Sequence, residues 1–88
     1  MKIKNGFVLE KVGDSYLACA TGKLATQFSG FVRLNGTGAF LWNKLSGGAE
    51  LADLAAALVD EYKIDGALAQ NDATAFVQTL RKNGILDE

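Results

Sequence analysis

The first 34 residues carry short β-rich apolar runs separated by turn residues, and from Asn35 onward apolar positions recur at helical spacing. Phe7-Val8-Leu9-Glu10-Lys11-Val12 and Ser15-Tyr16-Leu17-Ala18-Cys19-Ala20 are separated only by Gly13-Asp14, and a two-residue Gly-Asp link between β-rich runs marks a tight hairpin. The register this predicts sets Val12 opposite Ser15 and Leu9 opposite Ala18. One face then carries Phe7, Leu9, Ala18 and Ala20, with the Lys11 stem against Tyr16, and is the expected core side. The other carries Val8, Glu10, Val12, Leu17 and Cys19. Thr21-Gly22-Lys23 reads as a loop, and a third strand, Phe31-Val32-Arg33-Leu34, is expected after a break at Ser29-Gly30.

From Asn35 the period changes. Phe40, Leu41 and Leu45, with Trp42, fall at helical spacing, Asn35 or Thr37 can cap the start, and Gly47-Gly48 stops the helix. Glu50 to Tyr62 carries Leu51, Leu54, Leu58 and Tyr62 on one stripe, with Asp53, Asp60 and Glu61 outside it, which predicts a second, amphipathic helix. Asp65 can cap a third helix running to about Asn83, with Leu68, Ala69, Ala73, Phe76 and Leu80 inward. Arg81 and Lys82 suit its negative end and Gly84 its left-handed stop, after which Ile85-Leu86 tucks back. Three strands followed by three helices, without βαβ alternation, predict an α+β domain: a three-stranded antiparallel sheet backed by a three-helix cluster.

The chain has 88 residues, 49% of them apolar and 22% charged, the balance of one ordinary globular domain covering residues 1–88. No repeat, proline or low-complexity stretch suggests a second module. The longest uncharged run, Leu34 to Asn43, is ten residues, about half of what a spanning helix needs, so no membrane association is expected. Glu10 and Lys11 interrupt the apolar stretch that a signal peptide would need, and the mature chain is expected to start near Met1.

Candidate chemistry is sparse. There is no His, so the usual near-neutral base and commonest metal ligand are missing. The single cysteine, Cys19, allows neither an internal disulfide nor a Cys-rich zinc site and reads as a small apolar residue in a reducing cytoplasm. No metal, no cofactor and no catalytic residue are expected. Gly36-Thr37-Gly38 stands where a dinucleotide fingerprint would place its first two glycines, but Leu41 occupies the third position and no parallel strand follows, so a turn into the helix is the better reading. Gly22-Lys23 lacks the flanking residues of a P-loop. Acidic pairs such as Asp60/Glu61 sit on solvated helix positions, and Phe40 and Trp42 read as core anchors.

Charge is asymmetric: residues 1–48 hold six Lys/Arg against two acids, and residues 49–88 hold three against eight. Helices two and three with the hairpin would suit a winged helix, but this acidic half argues against neutralising phosphates, and no nucleic-acid partner is expected. The third strand leaves an open sheet edge on which an extended peptide could add. With helix three alongside, Ala73 and Val77 would offer apolar contact and Arg33 and Arg81 charge. The same edge could instead serve strand exchange into a homodimer, so monomer and exchanged dimer both stay open.

The run from Phe31 to Leu45 resembles the LN-x-T-G-x-x-x-W-x-x-L centre of PqqD-like proteins, named for the pyrroloquinoline quinone biosynthesis protein D. Val12-Gly13-Asp14-Ser15-Tyr16, Glu61-Tyr62-x-x-Asp65, Asp72 with Phe76 and Leu80, and Gly84-Ile85-Leu86 agree in order and spacing. Ala49 departs, since relatives often carry Thr or Ser there to cap helix two. The resemblance implies a compact winged-helix-like β3α3 domain that binds the leader segment of a ribosomally made precursor peptide and presents it to a modifying enzyme, often a radical SAM enzyme. It carries the peptide-binding surface to Phe31, Val32 and Arg33, with Leu34 completing the strand, and to Ala73, Val77 and Arg81.

Overall fold

In the computed structural model, residues 1–26 and 30–88 are described. Strands β1 (Lys2–Ile3), β2 (Phe7–Val12), β3 (Ser15–Ala20) and β4 (Phe31–Leu34) precede helices α1 (Gly36–Ser46), α2 (Leu51–Tyr62) and α3 (Gly66–Lys82), and β5 (Leu86–Asp87) closes the order. β2, β3 and β4 form one antiparallel sheet in that order, so the architecture is the α+β arrangement read from the sequence. The hairpin has the expected register, with Val12 opposite Ser15 and Leu9 opposite Ala18. Gly13, at φ 63°, supplies the left-handed residue that a two-residue turn of matching twist requires.

The inner sheet face packs on the helices. Ala18 is fully buried, Leu34 is buried, and Phe7, Leu9, Tyr16 and Val32 pack against the same core as Leu41, Trp42, Leu45, Leu54, Leu58 and Leu80. Trp42 is the core anchor expected, whereas Phe40 is half-buried and meets Tyr62 edge-on, ring centroids 5.6 Å apart.

Helix ends follow local chemistry. Asn35 caps α1, its Oδ1 accepting from the Gly38 N–H at 2.8 Å. At α2 the N-cap is Glu50 rather than Ala49, and the Asp53 carboxylate accepts from the Glu50 N–H at 2.9 Å, so the helix start is capped from inside the helix. Asp65 caps α3 through Ala67 N–H at 3.0 Å.

Several details differ from expectation. β1 and β5 pair, Lys2 with Asp87 and Ile3 with Leu86, adding a small second sheet; two-residue strands have no period to detect. Gly22–Thr26 is a 3-10 turn rather than an open loop. Leu68, expected inward, is 49% exposed, because the buried stripe of α3 runs through Ala69, Ala73, Phe76, Val77 and Leu80. Ser29 of the expected Ser29-Gly30 break lies outside the described residues.

Candidate functional site

β4 is an edge strand. Its pairs with β3 are Tyr16–Leu34, Leu17–Arg33, Ala18–Val32 and Cys19–Phe31, and no described strand lies on its other side. In a four-residue strand paired on one side, alternate residues turn their N–H and C=O to the open side, a ready template for a further strand. Alternation fixes the side chains: Val32 and Leu34 point to the helices, whereas Phe31, 55% exposed, and Arg33 point away from them.

A hollow of about 280 Å³ opens where β4 gives way to α1, lined by Asn35, Thr37, Gly38 and Leu41 on one wall and Asp72, Ala75 and Phe76 of α3 on the other. Gly38 lets the walls and strand meet. A Cβ there would stand 3.1 Å from Leu34 Cβ and 3.4 Å from Asn35 Oδ1. Leu41 and Phe76 give the hollow an apolar floor, while Asn35, Thr37 and Asp72 are its polar groups.

Of the residues read from the sequence, Phe31, Val32, Arg33 and Leu34 form the edge strand itself. Ala73 and Val77 are 0% and 3% exposed and belong to the core stripe of α3, and the α3 residues that line the hollow are Asp72, Ala75 and, from the edge of that stripe, Phe76. A change of one or two positions on a helix rotates a side chain by 100–200°, as 3.6 residues per turn require, which is why apolar character alone did not separate the two sets. Arg81 does not line the hollow. Its Nε and Nη2 donate to the Glu88 carboxylate at 2.8 and 2.6 Å, holding that carboxyl below its ordinary value and raising Arg81. The wall residues missed in the sequence had a signal: Leu34-Asn35-x-Thr37-Gly38 and the Asp72/Phe76 spacing are the motif positions that meet here.

The family model for coenzyme PQQ synthesis protein D (PqqD) matches residues 19–86, spanning β4, all three helices and both walls of the hollow. The chain belongs to the PqqD family. None of the curated proteins matches it. Two solved structures share the PqqD-like fold. One, TbiB1 in complex with the TbiA(beta) leader peptide, superposes with a TM-score of 0.79 at 22% identity, covering 99% of this chain and 95% of the other. The second, lasso peptide synthetase B1 complexed with the leader peptide, has a TM-score of 0.73 at 24% identity, covering 96% and 93%. Among the described residues of this PqqD-family chain, no helix is long and apolar enough to cross a membrane, and no group of three or more His, Cys, Asp or Glu could hold a metal ion.

Proposed function

We propose that this chain is a non-catalytic peptide-recognition module of the cytoplasm: it takes the leader segment of a ribosomally made precursor as an added strand on the open side of β4 and presents the remainder to a modifying enzyme. The observation that carries this reading is the position of β4, an edge strand ending beside a hollow between α1 and α3. Main-chain bonds to β4 supply affinity without demanding a leader sequence, each worth about 1 kcal/mol net. Side chains of the leader on the helix side meet Val32 and then the hollow, where shape and Asp72 discriminate. Membership of the PqqD family and two fold neighbours solved with leader peptides support the reading.

Such a module works by proximity. Holding a leader and an enzyme together turns the encounter of enzyme and core peptide into an intramolecular event at the effective concentration set by the linker. The enzyme partner we propose is a radical SAM enzyme, as the family resemblance implies. The neighbour named as lasso peptide synthetase B1 favours a second reading, a lasso-forming synthetase in that place; pull-down of each enzyme class encoded nearby separates the two.

The test is to fill the hollow without touching the core. Ala75 is exposed on its rim, so Ala75→Trp is expected to leave the fold intact while weakening leader binding at least about tenfold, or about 1.4 kcal/mol. Unchanged affinity in a folded Ala75→Trp variant would remove the hollow from the site.

A further inference from the structure

The sheet has a second surface that peptide addition at the β4 edge does not use. The register places Val8, Cys19 and Phe31 in one row across β2, β3 and β4, and Glu10, Leu17 and Arg33 in the next. All six turn away from the helices, because their neighbours Leu9, Ala18, Val32 and Leu34 face the core. Val8 and Phe31 are 39% and 55% exposed. Glu10 and Arg33 lie two strands apart, with Leu17 between them, and neither makes an ion pair among the described residues. The surface is thus an apolar row beside a row that is acidic at one end and basic at the other.

We propose that this outer sheet face is a self-association surface, on which a second copy of the chain packs face to face about a two-fold axis parallel to β3. The pattern selects that axis. Rotation about a line running along β3, midway between the two sheets, lays β2 of one copy over β4 of the other and leaves each row opposite itself. Glu10 then meets Arg33 of the second copy, Arg33 meets its Glu10, Val8 meets Phe31, and Leu17 and Cys19 meet their own counterparts. The two-fold axis perpendicular to the strands would instead lay β2 on β2 and β4 on β4, bringing Glu10 toward Glu10 and Arg33 toward Arg33. Like charges at an interface disfavour that arrangement, whereas the first satisfies four charges at once.

Size sets the strength. One face of three short strands buries less than roughly 1,200 Å² in total, the range of weak and transient contacts. The apolar row supplies the burial, and the charged row sets orientation more than affinity. Association is therefore concentration-dependent, and it leaves the open side of β4 available, since a peptide added there extends the sheet in its own plane.

Sedimentation velocity on the full chain from about 10 μM to about 1 mM covers the range expected of such a contact. The expected result is a shift from the 9.3 kDa monomer toward twice that mass. Glu10→Arg and Arg33→Glu, both exposed, each place like charges in both crossed pairs and are expected to weaken self-association about tenfold. Mixed in equal amounts, the two variants form a dimer in which every crossed pair is opposite in sign, so the mixture associates more tightly than either alone. Sheets about 10 Å apart keep the two Cys19 Cα atoms beyond disulfide reach, yet within reach of a short bismaleimide. A monomer at every concentration overturns the proposal, and so does a dimer that ignores both charge reversals or fails to re-form on mixing them.

Discussion

The position a Cβ would take at Gly38 lies 3.1 Å from Leu34 Cβ. Leu34 Cβ is fixed to the last residue of β4, and Gly38 stands in the first turn of α1, so neither can move without shifting a whole element. A methyl group at Gly38 would pack more tightly than side chains ordinarily do, so strand and helix would have to part by a few tenths of an ångström to admit it. The same contact puts Asn35 at the N-cap and the mouth of the hollow at the end of the edge strand.

Gly38→Ala therefore reverses the usual sign of its kind. In an open helix the change would stabilise by about 0.5–1 kcal/mol; here overpacking costs about 1–3 kcal/mol. A net loss near 1 kcal/mol, or a fall of about 4–8 °C in Tm, is expected by thermal denaturation. Gly36→Ala, whose Cβ would meet nothing within 4 Å, is the control and should not lose stability.

Asn35→Ala removes the acceptor for the Gly38 N–H at 2.8 Å. The expected cost is about 1 kcal/mol, and Asn35→Asp, which keeps an oxygen there and favours the positive end of α1, should recover it. Chemical denaturation of the three chains measures both differences.

Lys63 ends α2 with φ 54°, a left-handed conformation that costs a side-chain-bearing residue about 1–2 kcal/mol. Its ion pair with Asp60 is 3.9 Å long and exposed on both sides, so it offsets little. Lys63→Gly should raise Tm by a few degrees, on the scale of about 0.4–1 kcal/mol for relieved backbone strain, and Lys63→Val should lower it.

The Arg81–Glu88 pair gives a pH signature. The hydrogen bond from Arg81 holds the Glu88 carboxyl below its ordinary range in the folded chain. A carboxyl depressed on folding contributes stability that is present above its unfolded pKa, about 4.3, and is lost as pH falls through the lower folded value. Both side chains are about half exposed, so the contribution is small. Glu88→Gln should trail the parent slightly in Tm at neutral pH, with the gap closing under acid conditions. Carboxyl carbon shifts should show the Glu88 midpoint moving back up in Arg81→Ala.

Much of this molecule is legible in its sequence, and the exceptions have physical causes. Gly13-Asp14 between two β-rich runs set the hairpin register to the residue, and Asn35, Asp65 and Gly47 marked helix ends where side-chain caps and stops form. The edge strand was legible because four β-prone residues sit between a glycine and a capping asparagine. What local pattern could not supply was long-range. Lys2–Ile3 joins Leu86–Asp87 across the whole chain, and nothing within two residues encodes that pairing. Apolar character on the right helix points to Ala73 and Val77 as groove residues, yet both lie in the buried stripe of α3; of that stripe only Phe76 also reaches the hollow, beside Asp72 and Ala75. Arg81 looked free in the sequence because Glu88 reaches it only after β5 folds back.

Whether a leader adds along β4 and runs to the hollow is read from a backbone amide titration of the labelled chain with a synthetic leader from a short precursor peptide encoded nearby. Saturable shifts are expected at Phe31 to Leu34, at Asn35 to Gly38 and at Asp72 to Phe76, with slowed exchange of the β4 amides that face the open side. Shifts confined to β1 and β5 or to the exposed face of α2, or no shifts at all with the cognate leader, would contradict it.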